Sequence, residues 1–201
     1  MKKPQIEAMQ KNTLALALAL VVLAAAYRVF GAVYVSALPN FSPVMAMAFC
    51  SGLVLPGALA VAAPLACLFV SDLVLNAHFG QPLMQPAMLA IYACYVFAIG
   101  TGALLRHRGL PAVFGAVLGN AFLFYLVTNS LAWWGNSHYA QTFGGWIQAL
   151  TVGQAGFAPT WTFFRNSLIG DFLFTAMFLA LFYWARKRSA SPNLARQESS
   201  S

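Results

Sequence analysis

Apolar residues fill six stretches of this chain, and polar residues gather in the short segments between them. A helix needs about 20 mostly apolar residues to cross the hydrocarbon core of a bilayer. The runs predict spans at 13–35, 43–55, 57–77, 86–105, 110–134 and 159–185. The second is short, held between Pro43 and Pro56. Pro159 opens the sixth, in the first helical turn, where a missing N–H costs nothing. A further apolar piece, Trp146 to Phe157, is broken by Gly153 and Gly156 and predicts a short helix on or in the outer face. Lys2-Lys3 followed by Leu14–Ala26, with Ala24-Ala25-Ala26 behind it, has the shape of a cleaved signal peptide. The apolar run nevertheless continues past Arg28 to Val35, long enough to span, and retention is the expectation.

Composition sharpens this picture. The chain has 201 residues, of which 61% are hydrophobic and only 7% charged, with a mean hydropathy of +0.73. Soluble domains carry about 25% charged residues, so the fold class expected is an all-α integral membrane protein, a six-helix bundle. Net charge is +7. Nucleic-acid binding is nonetheless excluded as the reading, because the cations sit where membrane topology puts them. Lys2, Lys3 and Lys11, then Arg106 and Arg108, then Arg186, Lys187, Arg188 and Arg196 all fall on one side of six crossings. The outer loops 36–42, 78–85 and 135–158 contain no Lys or Arg. The positive-inside rule then places both termini in the cytoplasm. Three segments result: a cytoplasmic tail 1–12, a transmembrane substrate-binding domain 13–188, and a polar tail 189–201 expected to be disordered.

Four charges remain inside the apolar runs: Arg28, Asp72, Arg165 and Asp171. An ion in the membrane interior is a functional hypothesis until its partner is known. Arg28 and Asp72 lie at similar depth, about fifteen residues into spans that run the same way. They could form a structural pair, rim a pocket, or do both. Arg165 and Asp171 are about 120° apart around the sixth helix, so each must find a partner elsewhere; Arg165 could also snorkel to the interface. Asn129 and Asn166 near the outer ends of spans 5 and 6 need hydrogen-bond partners if buried. His78 and His138 sit in outer loops, either simply solvated or ligating a metal or a metal-containing ligand. Cys50, Cys67 and Cys94 lie in apolar runs without metal-ligand spacing and read as packing residues. Small residues along span 1, Ala15, Ala17, Ala19 and Ala24–Ala26, allow close helix approach. No nucleophile elbow, phosphate loop or carboxylate pair is present, so no enzyme activity is expected.

Six spans in about 200 residues, with outer loops over a polar site, resemble the substrate-binding S components of energy-coupling-factor (ECF) vitamin transporters. The strings Leu38-Pro39-Asn40-Phe41-Ser42-Pro43-Val44, Ser71-Asp72, Thr128-Asn129-Ser130-Leu131-Ala132-Trp133 and Arg165-Asn166-Ser167-Leu168-Ile169-Gly170-Asp171 resemble a bacterial family of S-component-like proteins close to the solitary cobalamin-binding, BtuM-type group. The resemblance implies a multi-pass protein of the bacterial inner membrane that takes up cobalamin, or a related corrinoid, as transported ligand and holds no cofactor of its own. It implies that Asn40 and Ser42 belong to a lid and that Asp72, His78, Asn129, Tyr139, Arg165 and Asn166 face the ligand. From their positions alone, Arg28, Asp72 and Asp171 are the candidate structural ions. The first helix would dock on an ECF coupling subunit with its ATPases. Members of the cobalamin group can ligate cobalt with a cysteine near the third loop; this chain has none there, which leaves His78 as the candidate metal ligand. Two other readings stay open: an S-component-like transporter of another vitamin or small organic ion, and a membrane assembly protein whose ions only staple helices.

Overall fold

The computed structural model describes residues 3–34, 39–85 and 87–190. Among them lie seven α-helices and no strand. These are α1 (Lys3–Tyr34), α2 (Val44–Val54), α3 (Leu59–His78), α4 (Ala87–Leu104), α5 (Leu110–Trp133), α6 (Phe143–Leu150) and α7 (Thr160–Ala190). Five of them, within α1, α3, α4, α5 and α7, contain stretches long and apolar enough to cross a membrane. Their outward faces carry large bare apolar side chains, such as Leu89 (80% exposed) and Leu104 (81% exposed). In water such a surface would be ruinous; against lipid tails it costs nothing. The chain is a helical, multi-pass membrane protein. Helix α1 runs back through most of the segment expected as an N-terminal tail, to Lys3. The expected C-terminal tail lies outside the described residues, except for its first two, which continue α7.

Helix α2 is the centre of the bundle. At 11 residues it is about 16 Å long, roughly half the hydrocarbon thickness. Every residue from Val44 to Gly52 is buried. A helix that is apolar all round belongs inside a protein, and α1, α3, α4, α5 and α7 all pack against this one. Its closest neighbour is α4. A Cβ on Gly52 would lie 2.0 Å from the carbonyl oxygen of Ile99, and one on Gly102 would lie 2.1 Å from that of Phe49. The two backbones therefore touch, which only glycine permits.

Both ends of α2 are met by charge from distant sequence. At its start, Pro43 and Ser42 lead in, and the carboxyl group of Asp171 on α7 lies by the Ala46 amide, one of the N–H groups with no partner inside the helix. At its end, Arg106 donates through Nε to the Gly52 carbonyl (2.7 Å) and through Nη2 to the Leu55 carbonyl (2.5 Å). An acidic side chain at the N-terminus and a basic one at the C-terminus is the placement the helix dipole favours.

Helix α3 contains Pro64, buried in mid-helix. Proline has no N–H for the carbonyl four residues earlier, which is that of Ala60. The hydroxyl of Ser51 on α2 lies 2.7 Å from that oxygen and 2.7 Å from the Ala48 carbonyl, and so serves the orphan.

Candidate ligand-binding site

The N-terminal end of α2 opens into a two-lobed cavity, at the end of the bundle opposite Arg106. The inner lobe, about 420 Å³, is lined by residues of α1, α2, α3, α4, α5 and α7 and by the segment Pro39–Ser42. Polar groups there are Arg28, Asn40, Ser42, Ser167 and Asp171; Phe41, Tyr95 and Phe124 supply rings. The outer lobe, about 400 Å³, lies between the C-terminal half of α5, the start of α7 and the loops around α6. Tyr125, Phe157, Phe163 and Phe164 wall it, with Thr128, Asn129, Asn136, Tyr139 and Gln154 as polar groups. Asn40, Ala121, Phe124 and Ser167 line both lobes, so the two are continuous. Each is in the size range of a small-molecule pocket, about 300–1,000 Å³.

Residues Pro39–Ser42 form the septum. Asn40 adopts a left-handed backbone (φ 62°), a conformation asparagine tolerates better than most residues. Its carbonyl accepts from the Ser167 hydroxyl (3.2 Å), and the Pro39 carbonyl accepts from Nδ2 of Asn166 (3.1 Å). Gly170 lets the segment lie on α7: a Cβ there would sit 3.4 Å from the Phe41 ring and 3.5 Å from the backbone of Ser42. Above the outer lobe, the loop from Gly135 to Thr142 is knitted by one side chain. Gln141 accepts the Gly135 amide through Oε1, and its Nε2 lies 2.9 to 3.3 Å from the carbonyls of Trp133, Asn136 and Tyr139. Trp133 Nε1 donates to the Ala140 carbonyl, and Trp146 Nε1 to Ser130 Oγ. Thr142 caps α6 by accepting the Gly145 amide.

Beside the cavity runs an ion network. Arg28 Nη2 and Asp72 Oδ1 are 2.5 Å apart. Nη1 of Arg28 donates to Ser71 Oγ (2.6 Å), and the Tyr92 hydroxyl donates to Asp72 Oδ2 (2.8 Å). Three helices, α1, α3 and α4, are thereby joined at one depth, and the charge of Arg28 is matched. Asp171 takes no part, contrary to the expectation that grouped it with these two. Its place on α7 brings it to the start of α2 instead.

Of the residues the resemblance implied, Asn40, Ser42, Asn129 and Tyr139 line the cavity. Asp72, His78, Arg165 and Asn166 line neither lobe. Asp72 is turned toward Arg28 and Tyr92. His78 ends α3, exposed, with its ring edge-on to Phe79. Arg165 stands exposed over the Trp161 ring (5.4 Å) and donates to Asn166 Oδ1. Buried Asn166 bridges that arginine to the Pro39 carbonyl. His138 is exposed in the knitted loop. Among the described residues no group of three or more His, Cys, Asp and Glu side chains could hold a metal ion. The sequence reading missed Phe41, Tyr95, Phe124 and Ser167, since rings in apolar runs look like ordinary core.

The fold and site together define a polytopic helical membrane protein with an aromatic and polar cavity at one end of its bundle. It belongs to a family of unknown function, DUF6580, whose model matches residues 8–194. No curated protein matches it. No solved structure does either.

Proposed function

We propose that this protein is the substrate-binding membrane subunit of an uptake system, built like an ECF S component, for a small vitamin or organic ion. The observation that carries the reading is the two-lobed cavity, walled by rings and dotted with amides and hydroxyls, at the end of the bundle away from Arg106. Such a mix is what small-molecule sites use for affinity and orientation. On this reading the chain crosses a bacterial inner membrane six times, α2 serving as a half-length crossing, with both termini cytoplasmic and the cavity outside. A helix-stapling assembly role would account for the Arg28–Asp72–Tyr92 network but gives no reason for the cavity.

Cobalamin is the ligand the resemblance brings first. Cavity size favours the other member of the class. A corrinoid is larger than a drug-sized molecule, for which one lobe already suffices, and His78, the candidate cobalt ligand, stands outside both lobes. Ala15 and Ala19 lie on the exposed face of α1, available to a coupling subunit, whereas Ala17 and Ala24 pack inward.

Full-length protein in nanodiscs, heated with a panel of vitamins and small organic ions that includes cobalamin, tests the proposal. A ligand present at a hundred times its Kd adds about 2.7 kcal/mol of stability. We expect at least one compound to raise Tm, and Thr128→Leu with Asn129→Leu to abolish the rise. The Ala15→Leu/Ala19→Leu variant should keep the rise and lose cellular uptake of that compound. A panel with no stabilising member would overturn the reading.

A further inference from the structure

Asp171 is 3% exposed and lines the inner lobe. Among the described residues it makes no ion pair; its carboxylate has the Ala46 amide at the start of α2. The other intramembrane acid, Asp72, is matched by Arg28 and further satisfied by Tyr92. The charges facing the inner lobe therefore do not balance. Arg28 is cancelled by Asp72, and Asp171 is left over. A carboxylate buried without a counter-charge is costly in its ionised form, a cationic ligand removes that cost, and in a membrane interior such a group marks a site for an ion or a charged ligand.

The walls around Asp171 have a matching chemistry. Phe41 on the septum, Tyr95 on α4 and Phe124 on α5 all line the same lobe. Tyr95 and Phe124 meet edge to face, with ring centroids 5.7 Å apart. Aromatic faces attract cations through their quadrupole, more strongly where water is excluded. Rings beside one buried carboxylate form a recognisable receptor for an organic ammonium or a cationic heterocycle. An anion would meet the uncancelled carboxylate, and the guanidinium of Arg28 is already given to Ser71 and Asp72.

We infer that the inner lobe binds the positively charged end of an organic cation, with Asp171 as counter-charge and Phe41, Tyr95 and Phe124 around it. The outer lobe takes the remainder of the ligand, a flat ring against the paired rings of Tyr125 and Phe164 with hydrogen bonds to Thr128 and Asn129. This inference rests on the cavity being the ligand site, as proposed above, and names the substrate class.

Three soluble probes of nearly one shape separate charge from shape: 1-methylnicotinamide (cation), nicotinamide (neutral) and nicotinate (anion). Affinities are measured by calorimetry on the full-length protein in nanodiscs. The cation should bind about tenfold tighter than the neutral amide, with the anion weakest. Asp171→Asn should bring the cation-to-neutral ratio near one. Unliganded Tm should change little, because the amide oxygen can still accept the Ala46 N–H. If that variant fails to fold, the wild-type ratio decides, supported by a loss of several-fold in cation affinity in Phe124→Leu. A neutral or anionic probe binding as well as the cation, a ratio that survives Asp171→Asn, or no binding of any probe at millimolar concentration would each overturn the inference. A vitamin panel whose one hit is neutral or anionic removes the cation and leaves the cavity; a panel with no hit removes both.

Discussion

Ser51 and Pro64 are far apart in chemistry and close in space. A proline inside a helix removes one hydrogen bond, and in a membrane no water can replace it. Here the replacement is one hydroxyl on the neighbouring helix. Ser51→Ala should therefore cost about 1–3 kcal/mol, the penalty of a buried acceptor left without a donor. The combined variant Ser51→Ala/Pro64→Ala should recover much of that loss, because residue 64 regains an N–H for the Ala60 carbonyl. Denaturant unfolding of both variants in mixed micelles measures the difference; a double variant no more stable than Ser51→Ala would show that the hydroxyl does not serve this carbonyl. Sequence could place Pro64 in a span, and it could place Arg28 and Asp72 at one depth. It could not find Ser51, since nothing in a linear pattern says which polar side chain answers a broken backbone bond. Asp171 was visible as an intramembrane acid, yet its partner is a backbone amide 125 positions away, a kind of contact that leaves no trace in residue types.

Helix boundaries were legible because prolines and glycines punctuate the apolar runs. Val44–Val54 begins just after Pro43 and stops before Pro56, and the helix ending at Trp133 gives way to a Gly-Asn turn. The short α6 lies within the expected outer-face region but starts three residues earlier, at Phe143, capped by the Thr142 hydroxyl. What the pattern concealed was how α2 is held. Arg106 reads as one member of a basic loop that sets topology, and it also closes the C-terminus of a helix more than fifty residues upstream. Arg106→Ala should lower stability by about 1–3 kcal/mol, the range for a hydrogen bond to a charged group with a helix-dipole contribution added. Exposed Arg108 is the control, and Arg108→Ala should leave Tm unchanged. Equal losses in the two variants would reduce Arg106 to a topology signal.

For the molecule as a whole, the six-crossing arrangement has a direct check. Reporter fusions after Ser137 and after Ser189 should report opposite sides of the membrane, the first outside and the second in the cytoplasm. Same-side signals would end that arrangement and with it the outward placement of the cavity. The overall class was readable from hydropathy and charge alone, whereas the cavity was not. Its walls are drawn from α1, α2, α3, α4, α5, α7 and the loops beside them, and long-range convergence of that sort is a property of packing rather than of any one segment.

The burial of α2 also constrains how the protein is made. Its seat is formed in part by α4, α5 and α7, all of which leave the ribosome after it. Until they arrive, an apolar segment half the thickness of the bilayer has only α1 and α3 to lean on and neither Arg106 nor Asp171 at its ends. The early chain must then hold α2 provisionally, near the membrane surface, and seat it only after α7 has emerged. Cys50 records that history, being 3% exposed in the finished protein. In a chain ended after Trp133, with Cys67 and Cys94 replaced by alanine, Cys50 should react with N-ethylmaleimide, while the full-length chain with the same replacements stays unlabelled. Equal protection in both would mean that α2 finds its place without α7. On the expected result, α7 is the helix that locks the first half of the bundle, and the cavity comes into being only when it docks.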